Sequence, residues 1–249
     1  MGDVHGRADL LRPLLAAIVE SARGAGRATA VFLGDYVDRG RDSRDVIDAL
    51  LDFHAHSGLQ TRFLRGNHDD TLLRFLEDAR VGPTWIDYGG AETLESYGAP
   101  MPATRHDADA WEDTRRVFAE RLGARHRAFF EGLELSCEIG DYFFAHAGAR
   151  PGVPLEAQTA QDLMWIRSEF LKGRGGWDKT VVHGHTPEEA AVLTERRIGV
   201  DTGAYATGRL TAVVLEGADR RLLQAVAAQG RVEIEGRTSS QLEASDALN

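Results

Sequence analysis

Ala30-Val31-Phe32-Leu33-Gly34-Asp35-Tyr36-Val37-Asp38-Arg39-Gly40 begins as an apolar run and ends in two carboxylates, an arginine and a glycine. A short apolar run closed by Gly-Asp reads as a buried strand opening into a loop. The pattern repeats at Thr61 to Leu64, which runs into Arg65-Gly66-Asn67-His68-Asp69. Helical spacing flanks both. Leu10, Leu11, Leu14, Leu15, Ile18 and Val19 form one apolar stripe, with Pro13 near the helix start where a missing N–H is tolerated. Val46, Ile47, Leu50 and Leu51 form another within Ser43 to Phe53. Two successive strand–helix units predict a parallel-leaning sheet in an α/β fold.

Farther along, Asp70 to Leu133 reads as mostly helical, a side layer broken at Gly82-Pro83 and at Pro100 to Pro102. Leu135 to Ile139 and Tyr142 to Ala145 form a hairpin pattern turning at Gly140-Asp141. Strands then dominate, at Thr180 to Val182, Ala190 to Leu193, Ile198 to Val200, Leu210 to Leu215 and Leu222 to Ala227. With no repeat or linker, residues 1–230 read as one domain and 231–249 as a frayed, polar C-terminal tail.

The 249 residues are 43% hydrophobic and 27% charged, enough for a packed core. A net charge of −10 argues against a nucleic-acid surface, although local cations could still hold a phosphorylated anion. Cys137 is the single cysteine, which excludes an internal disulfide and a Cys-rich zinc module and suits a reducing cytoplasm. No apolar run has membrane-spanning length, and the N-terminus lacks a signal peptide's pattern.

Five segments carry metal-ligand chemistry: Gly2-Asp3-Val4-His5-Gly6, Gly34 to Gly40, Gly66-Asn67-His68-Asp69, His146-Ala147-Gly148 and Gly184-His185-Thr186. Carboxyl ends of strands in an open α/β sheet meet at one edge, so distant segments can converge. Asp3, His5 and Asp35 offer two carboxylates and an imidazole; Asn67, His146 and His185 offer an amide oxygen and two imidazoles. Such a mixed O/N set without thiolate suits Mn²⁺, Fe or Zn²⁺.

Together these motifs resemble the phosphoprotein phosphatase branch of the calcineurin-like metallophosphoesterases, with GDxHG, GDxVDRG, GNH[DE], HAG and GH in order, and within it the bacterial and phage-type serine/threonine phosphatases. The resemblance runs from Gly2 to about Gln224. It implies a two-sheet α/β/β/α sandwich with a helical side layer and two divalent ions, Mn²⁺ first. It implies that Asp3 and His5 bind one ion, that Asn67, His146 and His185 bind the other, and that Asp35 bridges. A hydroxide held between the ions would attack phosphorus. His68, oriented by Asp38, would protonate the leaving group, while Arg39, Arg65 and Arg167 would hold phosphate oxygens. Tyr205 matches a residue near the substrate. His183, before the motif glycine, is expected to be structural; His54, His56, His106 and His126 carry no motif and are expected at the surface.

The implied activity is a phosphomonoesterase acting on a phosphoprotein or phosphopeptide. A small-molecule phosphohydrolase, such as one cleaving diadenosine polyphosphates, shares most of the motifs; that group usually carries Gln where this chain has His5. A non-catalytic metal-binding scaffold is the third reading, and it would have lost a ligand, His68 or an arginine. The family also places a buried strand before the first motif, whereas Gly2 directly follows Met1. Asp3 and His5 are therefore expected to hang on a flexible terminus, in a shortened form of a longer protein.

Overall fold

The computed structural model describes residues 1–217 and 219–238. In chain order the elements are α1 (Ala8–Ser21), β1 (Thr29–Phe32), α2 (Ser43–His56), β2 (Gln60–Phe63), α3 (Asn67–Glu77), α4 (Gly82–Trp85), α5 (Gly90–Ser96) and α6 (Ala108–Glu131). Then follow β3 (Ser136–Ile139), β4 (Tyr142–Ala145), α7 (Ala160–Trp165), α8 (Ser168–Lys172), β5 (Thr180–His183), β6 (Val192–Leu193) and β7 (Arg197–Gly199). The last are α9 (Ala204–Thr207), β8 (Arg209–Glu216), β9 (Asp219–Ala228) and β10 (Arg231–Thr238).

The strands form two layers. One is a five-stranded sheet in the order β3-β4-β5-β7-β6, parallel from β4 through β7. The other contains the parallel pair β1-β2 and the antiparallel set β10-β9-β8. Between β1 and β8 lies the start of the chain. The Met1 nitrogen donates to Val31 O at 2.8 Å, Leu33 N donates to Met1 O at 3.0 Å, and Gly2 N donates to Thr211 O at 3.0 Å. Backbone groups on both sides of the gap are thus paired, as burial demands. Asp3 and His5 accordingly do not dangle: they are 3% and 2% exposed.

Each layer's inner face meets the other. Leu33, Leu64, Cys137, Phe144, Val182, Ile198 and Val200, drawn from both, share one core. The apolar stripe of α1 packs with Leu210, Ala212, Leu223 and Ala225 on the outer face of one sheet. α8 contributes Phe170 to a cluster with Phe143 and Val181 on the outer face of the other. This is the α/β/β/α order expected, because period-2 strands and period-3.6 helices can bury their apolar faces only by stacking in layers. The side layer is α3 to α6, with Phe75, Trp85, Trp111 and Phe118 interlocked at ring separations of 4.9 to 6.2 Å.

Three sequence expectations shift. Residues 231–238 are not frayed: β10 pairs along its whole length with β9, Ile234 opposite Ala225, so alternation outweighs polar composition. Residues 239–249 lie outside the described residues. The strand expected from Ala190 shortens to Val192–Leu193. His126 is not at the surface but 6% exposed, its Nδ1 2.8 Å from Tyr97 Oη and its Nε2 3.1 Å from Asp48 Oδ1.

That burial gives the fold an acid sensitivity. Burial depresses the His126 pKa below its ordinary value of 6.5, and the Asp48 hydrogen bond only partly opposes it. Below that value the unfolded chain binds the extra proton, so the stability His126 contributes is complete above about pH 6.5 and lost as pH falls toward the folded value. Melting temperature measured with chelator present should therefore drop from pH 7 to pH 5, and His126→Gln should drop less. An identical slope in the variant would remove His126 from the account.

Candidate active site

The site lies where the loops after β1, β2, β4 and β5 meet the Asp3–Gly6 segment. Its frame is backbone. Val4 N and His5 N both donate to Asp35 O, at 3.1 and 2.9 Å, and Gly6 N donates to Tyr36 O at 3.0 Å. Asp69, fully buried, ties the second and third motifs together: its carboxylate accepts from Asp35 N at 2.8 Å, Gly66 N at 2.9 Å and Tyr36 N at 3.1 Å. Gly66 is required there, since a Cβ would fall 2.0 Å from Asp35 Oδ1. Among the described residues, five of the six non-glycine residues with positive φ belong to this site: His5, Asp35, Asp38, Arg39 and His185, at 45° to 72°. Strained backbone of this kind concentrates where function demands a particular aim.

Asp35 is the centre. Three imidazole Nε2 atoms face its Oδ2, from His146 at 3.4 Å, His5 at 3.5 Å and His68 at 4.0 Å. Two groups of ligand atoms each lie within 4.8 Å, His5–Asp35–His68 and Asp35–His146–His185, and Asp35 is common to both. His5 Nδ1 donates to Val37 O at 2.8 Å and His146 Nδ1 to Leu33 O at 2.9 Å. A carbonyl can only accept, so in each ring Nδ1 carries the proton and Nε2 is turned to the centre; backbone carbonyls commonly orient metal-binding imidazoles this way. Asn67 Oδ1 lies 3.1 Å from His146 Nε2, and His185 Nδ1 lies 3.2 Å from the same nitrogen.

Charge completes the picture. Burial alone would raise the Asp35 pKa, but His146, His68 and His5 hold it well below the carboxylate range. Burial lowers His5 to about 3 and His185 to about 2, leaving both neutral with lone pairs available. His146 goes the other way, to about 9, because Asp35 and Asp3 overcome its burial; a cation among these carboxylates would take that proton's place. His185 Nε2 is buried without a hydrogen-bond partner. Neutral imidazoles, ionised Asp35 and an orphaned nitrogen form a donor set that fits divalent ions. Asp3 belongs to neither tight group. Its carboxylate accepts from His185 N at 3.1 Å and faces the buried Asp201, and burial followed by the Asp201 charge raises its pKa well above the usual range.

Beside the cluster, His68 Nδ1 meets Asp38 Oδ2 at 2.6 Å. Asp38 is fully buried and fixed by Trp85 Nε1 at 2.9 Å and Thr93 Oγ1 at 2.7 Å. Burial disfavours a charged His68, yet Asp35 and Asp38 outweigh it and raise its pKa. Arg39 Nη2 lies 3.1 Å from His68 Nε2, and its guanidinium sits 4.6 Å from the Tyr205 ring centre. Tyr205 also meets the His5 ring edge-on at 5.5 Å. Arg167 lies at the joint between α7 and α8, where Nη1 donates to His185 O at 3.1 Å. Arg65 leans toward Asp70 at 3.6 Å, with its Nε buried and unpartnered. His183 is buried behind the cluster, 3.1 Å from Arg197 Nη1.

Sequence reasoning gave no role to Asp69, Thr93 or Trp85. Asp69 carried a local signal, an acid three residues after Gly66 at a helix start. Thr93 and Trp85 carried none, because they reach Asp38 from the side layer.

Known proteins resemble this chain in sequence and in fold. A bis(5'-nucleosyl)-tetraphosphatase PrpE [asymmetrical] from Geobacillus thermodenitrificans is 30% identical over 203 residues, 73% of each chain. The protein of the same name from Anoxybacillus flavithermus is 26% identical over 236 residues, 86% of this chain and 88% of that one. The crystal structure of a cold-active protein-tyrosine phosphatase from a psychrophilic Shewanella superposes with a TM-score of 0.51 at 17% identity, covering 94% of this chain and 78% of that one, which is a likeness of fold. Residues 1–214 match the calcineurin-like phosphoesterase family, and the chain belongs to it.

Proposed function

We propose that this protein hydrolyses phosphate esters at a centre of two divalent ions, with His68 as the general acid. The Asp38–His68 pair, 2.6 Å apart beside the Asp35 cluster, is the observation that carries the reading. Asp3, His5 and Asp35 would hold one ion and Asp35, Asn67, His146 and His185 the other. Mn²⁺ suits these oxygen and nitrogen donors. Two such ions, when bound, supply Lewis acidity and make hydroxide available near neutral pH.

This chain's own groups do the rest. Arg39 and Arg167 bracket the cluster and would neutralise non-bridging phosphate oxygens, which a guanidinium fork does well. Arg65 would join them through its free Nε. As the oxygen of water bonds to phosphorus and the bond to the leaving oxygen breaks, His68 Nε2 gives its proton to that oxygen. Asp38 Oδ2, 2.6 Å from His68 Nδ1, steadies the imidazolium before transfer. The raised pKa of His68 matches an acid that must be protonated near neutrality.

Two substrate classes fit this chemistry. The motifs favour phosphoserine or phosphothreonine in a protein; the names of the relatives favour a bis(5'-nucleosyl) tetraphosphate. Initial rates on a phosphopeptide and on diadenosine tetraphosphate, with Mn²⁺ present, rank them directly.

Turnover should vanish with chelator and return with Mn²⁺. Asp35→Asn should lower kcat/KM more than about 100-fold, since even outer partners of metal ligands typically account for about 10–100-fold. Near-normal turnover by that variant would overturn the shared-carboxylate reading.

His68→Asn should separate substrates by leaving group. A positioned acid contributes about 10²–10⁴-fold where the leaving alkoxide is basic, as for phosphoserine, and little for p-nitrophenyl phosphate. Equal losses on both would assign His68 to binding instead.

A further inference from the structure

Six large apolar side chains are exposed among the described residues: Tyr88, Met101, Ile139, Trp165, Tyr205 and Ile234. Single exposed apolar residues are ordinary on a protein surface. Here two of the six touch the candidate site, each against a different histidine. Trp165, 39% exposed, meets the His185 ring edge-on at 6.4 Å. Tyr205, 40% exposed, meets the His5 ring edge-on at 5.5 Å.

Each ring comes with a guanidinium. Arg39 lies against Tyr205, and Arg167 follows Trp165 by two residues. Ile166 between them is extended, with ψ at 142°, and buries its own side chain. Trp165 and Arg167 both reach His185, the one through its ring at 6.4 Å and the other through Nη1, which donates to His185 O at 3.1 Å. An exposed ring and a guanidinium thus stand beside His5 and another such pair beside His185, the two histidines belonging to the two groups that share Asp35.

We infer that Trp165 and Tyr205 are stacking platforms for the two bases of a dinucleoside polyphosphate whose phosphate chain lies over the cluster between Arg167 and Arg39. The inference rests on the phosphohydrolase reading above and chooses between its two substrate classes. Two ring-and-guanidinium pairs, one at each of the two groups that share Asp35, match a ligand whose two bases are joined by a polyphosphate. A phosphopeptide has one anionic group and no need for two aromatic surfaces. The protein's charge of −10 also concentrates the attraction for a polyanion at these arginines and the ions beside them. Every base has a flat π-face, so an exposed ring binds it without reading its edge, and such stacking typically shifts affinity by about 5- to 150-fold per base.

Steady-state kinetics with Mn²⁺ test this on four substrates: diadenosine tetraphosphate, inorganic tripolyphosphate, a phosphoserine peptide and p-nitrophenyl phosphate. Trp165→Ala should raise KM for diadenosine tetraphosphate by about 5- to 150-fold, and kcat/KM for tripolyphosphate should fall much less. Trp165→Phe should recover most of the loss. In a second measurement, AMP titrated into the wild type should quench tryptophan emission, because of the four tryptophans Trp85 and Trp111 are buried, Trp177 is half-buried with its Nε1 bound to Val153 O, and Trp165 is exposed beside His185; Trp165→Ala should lose that quench. Equal losses on all four substrates would make Trp165 a structural residue and overturn the inference. So would a steeper loss on the phosphopeptide than on the dinucleotide. Turnover of p-nitrophenyl phosphate without any of diadenosine tetraphosphate would sink the base site while sparing the phosphohydrolase. Absence of all turnover would sink the phosphohydrolase, and the quench alone would then decide whether bases bind.

Discussion

One buried carboxylate governs this molecule. Asp35 is 2% exposed, and three imidazole nitrogens converge on a single oxygen of its side chain. Its backbone is equally committed, with the carbonyl taking two N–H bonds from the start of the chain and the amide bound by Asp69. A carboxylate so far from water is tolerable only among positive partners and donors. Segments 180 residues apart are drawn together because each brings a group that Asp35 needs.

The layers around it serve that convergence. Parallel strands present their carboxyl ends at one edge, and the loops following β1, β2, β4 and β5 bring the buried Asp35, Asn67, His146 and His185 to it within a few residues. These turns and the Asp3–Gly6 segment are tight enough that five side-chain-bearing residues in them adopt left-handed backbone conformations. Hydrogen bonds from neighbouring motifs hold those conformations, so the strain of one loop is supported by the packing of another.

Much of this was legible in the sequence. Gly34 to Gly40 and Gly66 to Asp69 marked both the strand ends and the chemistry, because a buried run closed by Gly-Asp has few other uses. The stripes of α1 and α2 followed from helical spacing. What escaped depended on partners distant in sequence. His126 had no motif, and only the approach of Tyr97 and Asp48 explains its burial. The support of Asp38 by Thr93 and Trp85 was invisible, since a side layer's contacts are set by tertiary packing rather than by period. Arg231 to Thr238 looked like a tail because its polar residues alternate on a strand with a solvated face. Asp3 and His5 looked unsupported because the bonds from Val31, Leu33 and Thr211 come from far along the chain.

Cys137 offers something separate from phosphate chemistry. It is the single thiol of the chain, sealed between the two sheets at 5% exposure, and burial pushes its pKa up to about 11. Thiolate is the reactive form, so an alkylating reagent meets an inert group while the layers stay closed. Separation of the sheets would return the sulfur to water and to ordinary reactivity. Each opened molecule can then take one label and gain one mass increment. The sandwich thus contains its own clock: the rate of covalent labelling counts how often the two sheets part.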